Sequence, residues 1–211
     1  MAGLNDLLTF ILPSAIALLV ALTTGALIVR GGWRLSLLAL ASQYLASGLL
    51  LSWRVTLSVA ALKWLAGTMV LLILYPAGRR TMWGAAYPVD GSVPGSHLGL
   101  TPAFRVGAAA LLLVVTLGLL YRFPVEDLNP SMAFTSYWLL GAGLVVLFLA
   151  RDPWITGAGL LIYQTGFEQI FIPTEQDLLL AGGMATLHIV VALALAYLIT
   201  SKMAGAQREE G

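Results

Sequence analysis

The strongest constraint in this sequence is a series of seven apolar stretches, each about as long as a membrane's hydrocarbon core is thick. A spanning α-helix needs roughly 20 mostly apolar residues. The 211 residues leave no intervening segment long enough for a second, soluble domain. We therefore predict an all-α polytopic membrane protein with spans at residues 8–29, 35–53, 56–75, 104–121, 134–150, 154–172 and 179–200.

The composition excludes several classes of protein. Only 10% of the residues are charged and 59% are hydrophobic, whereas a soluble domain is about a quarter charged. The net charge of +1 indicates no nucleic-acid partner. The chain has no cysteine, two histidines and no glycine-rich phosphate-binding motif. We therefore expect no cofactor, no metal site and no self-contained enzyme.

The distribution of Lys and Arg predicts the orientation. With seven spans, one side holds eight of the eleven basic residues, namely Arg30, Arg34, Arg79, Arg80, Arg105, Arg151, Lys202 and Arg208. The other side holds Arg54 and Arg122. Because cytoplasmic loops are enriched in Lys and Arg, we predict an N-terminus outside and a cytoplasmic C-terminus. The first apolar stretch lacks a basic segment before it, which favours a true span over a signal peptide.

Two parts of the chain share a spaced pattern. Arg30-Gly-Gly-Trp33 and Arg151-Asp-Pro-Trp154 are each followed, ten residues after the Trp, by a glutamine, Gln43 and Gln164. The common offset predicts a parallel repeat of two three-helix units, residues 1–75 and 134–211. Residues 76–133 would join them as an irregular loop, 76–103, and one linking helix. The alternative is that Arg and Trp simply mark membrane interfaces.

Two titratable residues lie near the middle of predicted spans, where a charged side chain costs about 2.5–3.5 kcal/mol on insertion scales. Lys63 is either a proton-exchanging lysine or a structural lysine paired with a neighbouring helix. His188 is either a proton relay or a neutral core histidine bonded to a carbonyl. The repeat offset places the two at similar depth.

Three further polar residues are candidates for a proton or ion path. Glu168 is either the mouth of such a path or an interfacial carboxylate in water. Gln164 lies four residues before it and so shares its helix face. Gln43 and Gln164 are uncharged, and they either bridge waters or bond neighbouring helices together.

Several of these residues carry a resemblance to a known family. Trp33-Arg-Leu-Ser36, Gln43, Lys63, Gly78-Arg-Arg80 and Gly159-Leu-Leu-Ile-Tyr-Gln-Thr-Gly166 resemble the E subunit of hydrogenase-4-type complexes. A three-helix unit with an outside N-terminus is also similar to the K subunit of complex I. The resemblance covers about residues 35–80 and 150–202.

The resemblance implies a non-catalytic membrane-arm subunit of a redox-driven complex in the cytoplasmic membrane of a prokaryote. Its partners would be large antiporter-like subunits, and Lys63, His188 and Glu168 would contribute to a proton or sodium path. The sequence departs from the K subunit because spans two and three contain no glutamate. Two alternatives stay open, a stand-alone transporter or channel and a purely structural assembly subunit.

Overall fold

The computed structural model describes residues 2–30, 32–82, 102–125, 128–150, 153–175 and 177–209. In these ranges the chain is helical apart from short connections. The helices are α1 (Ala2–Arg30), α2 (Trp33–Ser52), α3 (Leu57–Met82), α4 (Pro102–Arg122), α5 (Pro130–Leu149), α6 (Pro153–Glu175) and α7 (Leu178–Glu209).

Six of these helices, α1–α5 and α7, are long and apolar enough to cross a membrane. The prediction of an all-α polytopic membrane protein is therefore confirmed in its coarse form. The difference concerns α6, which covers the predicted sixth span but is not among the six, although its 23 residues are long enough. Its buried residues include Gln164, Thr165, Glu168 and Gln169. Because α6 packs against α2, α5 and α7, these polar groups face protein and not lipid.

Successive helices run in alternating directions through the bundle. At one end, which we call the basic end, Gly78 near the end of α3 lies against Trp33 and Trp154, which stand in the first turns of α2 and α6. At the opposite end, a hydrophobic core group joins α2, α5 and α7. It includes Leu51, Met132 and Ala181. The basic end holds Arg30, Arg34, Arg79 and Arg105, and the opposite end holds Arg54 and Arg122. This matches the predicted grouping of these six arginines.

Local signals explain two of the helix boundaries. Gly32 has φ 101°, a backbone conformation that suits glycine, and it turns the chain directly from α1 into α2. Asn129 caps α5, because its side chain accepts a hydrogen bond from the Ser131 backbone N–H, and Pro130 stands at the first helical position. The Gly32 turn and the Asn129 cap therefore allow short connections into helices that line the interior of the bundle.

The connection after α3 begins later than predicted. The sequence places an irregular loop at 76–103, but α3 continues through Pro76 to Met82. Ala77 and Gly78 are buried, so packing of this last stretch onto neighbouring helices stabilises a helix that proline alone would end. The rest of the predicted loop, residues 83–101, lies outside the described residues.

Helices α5 and α6 pack closely, because small residues permit backbone contact between them. A methyl group on Gly143 would lie 2.5 Å from the backbone nitrogen of Tyr163, and one on Gly166 would lie 2.6 Å from that of Leu140. Small residues at such interfaces let transmembrane helices approach closely. This contact fixes the position of α6 and therefore of its polar side chains.

We expect Gly143→Ala to destabilise the protein by about 1–3 kcal/mol, because the backbone of α6 must move away. The midpoint of thermal unfolding in detergent measures the change. Gly182→Ala is the matched control, since no atom of the described residues lies within 4 Å of the added methyl. Equal unfolding midpoints for Gly143→Ala and wild type would show that the α5–α6 contact is not tight.

Candidate functional site

Four helices each contribute one side chain to a polar group in the interior of the bundle. These are Tyr44 from α2, Lys63 from α3, Glu168 from α6 and His188 from α7. Each of the four residues is at most 2% exposed. We call this set the buried cluster. It joins residues up to 144 positions apart, so it depends on the packing of the whole bundle.

The centre of the buried cluster is an ion pair. The Lys63 ammonium donates a hydrogen bond to Oε2 of Glu168. The two side chains are 2% and 3% exposed, so both have left solvent almost completely. Removing two ions from water is costly, and their attraction offsets this cost only with good geometry and further polar contacts.

His188 supplies one of these further contacts, and its tautomer follows from its neighbours. Nδ1 lies 2.9 Å from the backbone oxygen of Met184. A carbonyl oxygen can only accept, so Nδ1 carries the proton. Nε2 then faces the cluster, 3.7 Å from Oε2 of Glu168. In the neutral ring this nitrogen is a hydrogen-bond acceptor 3.4 Å from the Thr165 hydroxyl, and a proton taken there would sit beside a carboxylate.

Tyr44 closes the buried cluster on the side of α2. The Lys63 Nζ lies 5.0 Å from the centre of the Tyr44 ring, within the range of a cation–π interaction. The same ring meets His188 edge-on, with centroids 5.6 Å apart and planes at 70°. The Tyr44 ring therefore contacts both titratable groups that face Glu168.

Other polar groups lie next to the buried cluster along α2 and α6. Gln43 and Ser47 are one turn apart on α2, and Gln164 is one turn before Glu168 on α6. Among the described residues, both amide atoms of Gln43, the hydroxyls of Tyr44 and Ser47, and Nε2 of Gln164 have no hydrogen-bond partner. Buried polar atoms of this kind are the usual ligands of internal water.

The five candidate residues from the sequence are all buried, and three of them meet. Lys63, Glu168 and His188 form the centre of the buried cluster, while Gln43 and Gln164 lie beside it. The structure places Glu168 in the interior and not in water at a helix end, because α6 continues beyond it to Glu175. Lys63 is paired with Glu168 of a neighbouring helix, and His188 is bonded to the backbone carbonyl of Met184. Each contact was one of the two alternatives that the sequence left open for that residue.

Sequence reasoning missed Tyr44 and Ser47. Both follow Gln43 within one turn, so three polar side chains interrupt an apolar helix in Gln43-Tyr44-Leu-Ala-Ser47. That local run was the available signal. Neither residue is charged, and a tyrosine or serine in a span often packs without further function.

The arrangement is suited to holding and exchanging protons. Lys63, Glu168 and His188 all carry ionisable side chains, and the Lys63 hydrogen bond and the 3.7 Å contact of His188 connect all three through one carboxylate oxygen. Glu168 and His188 could each bind a metal, but within the described ranges no third His, Asp or Glu lies close enough to form a metal site with them.

Comparisons with protein-family models, with curated proteins and with solved structures give no match for this chain.

Proposed function

We propose that this chain is a non-catalytic membrane subunit of a complex-I-related, redox-driven assembly, and that the buried cluster is part of its proton or sodium path. The observation that carries the proposal is the Lys63–Glu168–His188 contact in the interior of an apolar bundle. Ionisable residues inside membrane proteins commonly mark proton relays and ion pathways, because their burial is costly. The resemblance to hydrogenase-4-type and complex I subunits supplies the kind of complex.

The route for a proton would run along the face of α6. Gln164 and Glu168 share that face, and the buried polar atoms of Gln43 and Ser47 lie on the adjoining helix. Waters bound to these amides and hydroxyls would connect the cluster to neighbouring subunits. In this proposal the Lys63 and His188 side chains take up and release protons, and the Glu168 carboxylate holds both side chains in place.

The location and orientation follow from the same proposal. The chain would lie in the cytoplasmic membrane of a prokaryote, with the basic end of the bundle in the cytoplasm. The two three-helix units of the proposed repeat would contribute Lys63 and the Glu168–His188 pair, respectively. The large antiporter-like partners would continue the polar path beyond this subunit.

The specific test of a subunit role is its assembly state. A tagged copy of the full chain, extracted from its own membranes in mild detergent, is expected to copurify with several larger membrane proteins. Native mass spectrometry of this preparation should give a mass several times that of the 22.4 kDa chain. A clean monomer or homodimer would contradict the proposal.

The same preparation separates the two alternatives. If the isolated chain moves protons or sodium ions after reconstitution into liposomes, it is a stand-alone transporter or channel. If it assembles with partners but the buried cluster can be replaced without loss of ion movement, it is a structural assembly subunit. The buried cluster favours the ion path over the structural role, because an apolar interface would join the same helices without burying charge.

A further inference from the structure

A groove between α2 and α3 opens at the basic end of the bundle. Its volume is about 860 Å³, within the size range of small-molecule sites. Its walls below the opening are largely apolar, with Leu37 and Leu38 on α2 and Leu71 and Leu72 on α3. Leu38 and Leu72 are 58% and 62% exposed, so the groove is open to the bilayer.

The opening of the groove carries positive charge. Arg34, in the first turn of α2, and Arg79, near the end of α3, both line it and both are exposed. Trp33 and Tyr75 lie beside them, and the Arg34 guanidinium carbon is 5.3 Å from the centre of the Trp33 ring. Guanidinium groups bind phosphate through paired hydrogen bonds, so this opening suits a phosphate group.

The length of the groove fits one leaflet of a membrane. From Arg79 at the opening to Thr68 at the deep end, α3 advances eleven residues, which is about 16 Å of helix. Half of a hydrocarbon core is about 15 Å. A ligand with its phosphate at the arginines would therefore place an acyl chain along the leucines down to the membrane midplane.

We propose that this groove is a binding site for an anionic phospholipid, with its phosphate between Arg34 and Arg79 and one acyl chain along α2 and α3. Basic pockets between transmembrane helices on the cytoplasmic side bind anionic head groups in this way. The site shares no residue with the buried cluster, and its test does not depend on the proposed ion path.

The test measures selective lipid retention by the full chain in mild detergent. The protein is incubated with equal amounts of phosphatidylglycerol and phosphatidylcholine that carry the same acyl chains, and bound lipid is counted by native mass spectrometry. We expect wild type to prefer phosphatidylglycerol by about tenfold. Arg34→Gln combined with Arg79→Gln should abolish the preference, and Arg54→Gln, at the opposite end of the same two helices, should leave it intact.

A second variant tests the apolar part of the site. Ala41→Trp places a large side chain in the groove and should reduce binding of both lipids. Equal retention of the two lipids by wild type would overturn the proposal, as would an equal loss of preference in Arg54→Gln. Displacement of the lipid by inorganic phosphate would also contradict it, because phosphate lacks the acyl chain.

Discussion

Replacing Lys63 by methionine is expected to lower the free energy of unfolding by about 3–5 kcal/mol. The substitution keeps the length of the side chain but leaves the Glu168 carboxylate buried without its ion-pair partner. The remaining neighbour, His188, is 3.7 Å from that oxygen and cannot replace the Lys63 hydrogen bond. Removing one partner of a buried pair is costly because the other charge is then uncompensated.

Loss of helical circular dichroism during titration with a denaturing detergent measures this change. Arg122→Met is the control, because it also exchanges a cation for methionine but at an exposed helix end. We expect this control to change the unfolding free energy by less than about 1 kcal/mol. If Lys63→Met is as stable as the control, the ion pair does not hold α3 against α6.

Replacing both partners at once is expected to restore the stability that the single substitution removes. In Lys63→Met combined with Glu168→Leu, the buried cluster keeps neither member of the ion pair, and two apolar side chains of similar size fill the space. Exchange of a buried ion pair for apolar residues is often neutral or stabilising by about 1–4 kcal/mol. A double-mutant cycle with Glu168→Leu alone gives the coupling between the two positions.

The result of this cycle shows whether the contact between the two side chains stabilises the fold, apart from any role in ion movement. A strong coupling, with a double variant as stable as wild type, is expected because the two side chains touch. Additive losses, with a double variant less stable than either single one, would contradict the contact. A stable double variant also provides a folded protein that lacks Lys63 and Glu168, the ion pair at the centre of the buried cluster.

Most of the helices could be predicted from the sequence, because a long apolar stretch by itself indicates a membrane-spanning helix. The sequence predicted α6 as a span like the others, yet α6 is not among the six helices apolar enough to cross a membrane. Its buried residues include Glu168 and Gln169, which neighbouring helices and not lipid surround. A single helix sequence cannot show which helices will cover it. The same limit explains α3, where packing of Ala77 and Gly78 extends the helix beyond Pro76.

The candidate site was predictable as a set of residues but not as a site. The cost of polar groups in spans identified Lys63 and His188, and the repeat offset placed them at similar depth. Their shared contact with Glu168 could not be predicted, because it depends on which faces of α3, α6 and α7 meet. The proposed repeat and the in–out orientation stay predictions, although the grouping of the described arginines at the two ends agrees with the orientation's charge pattern.

Ion movement by the copurified complex in liposomes tests the proposed ion path, with wild type compared with the Lys63→Met, Glu168→Leu double variant. NADH, hydrogen and reduced methyl viologen are supplied in turn as electron donors, and internal pH and sodium dyes report the flux. We predict donor-driven flux in the wild-type complex and a loss of at least about tenfold in a double variant that still assembles, because two groups of the proposed proton path are gone. Undiminished flux in the assembled double variant, or no flux from wild type with any donor, would contradict the account.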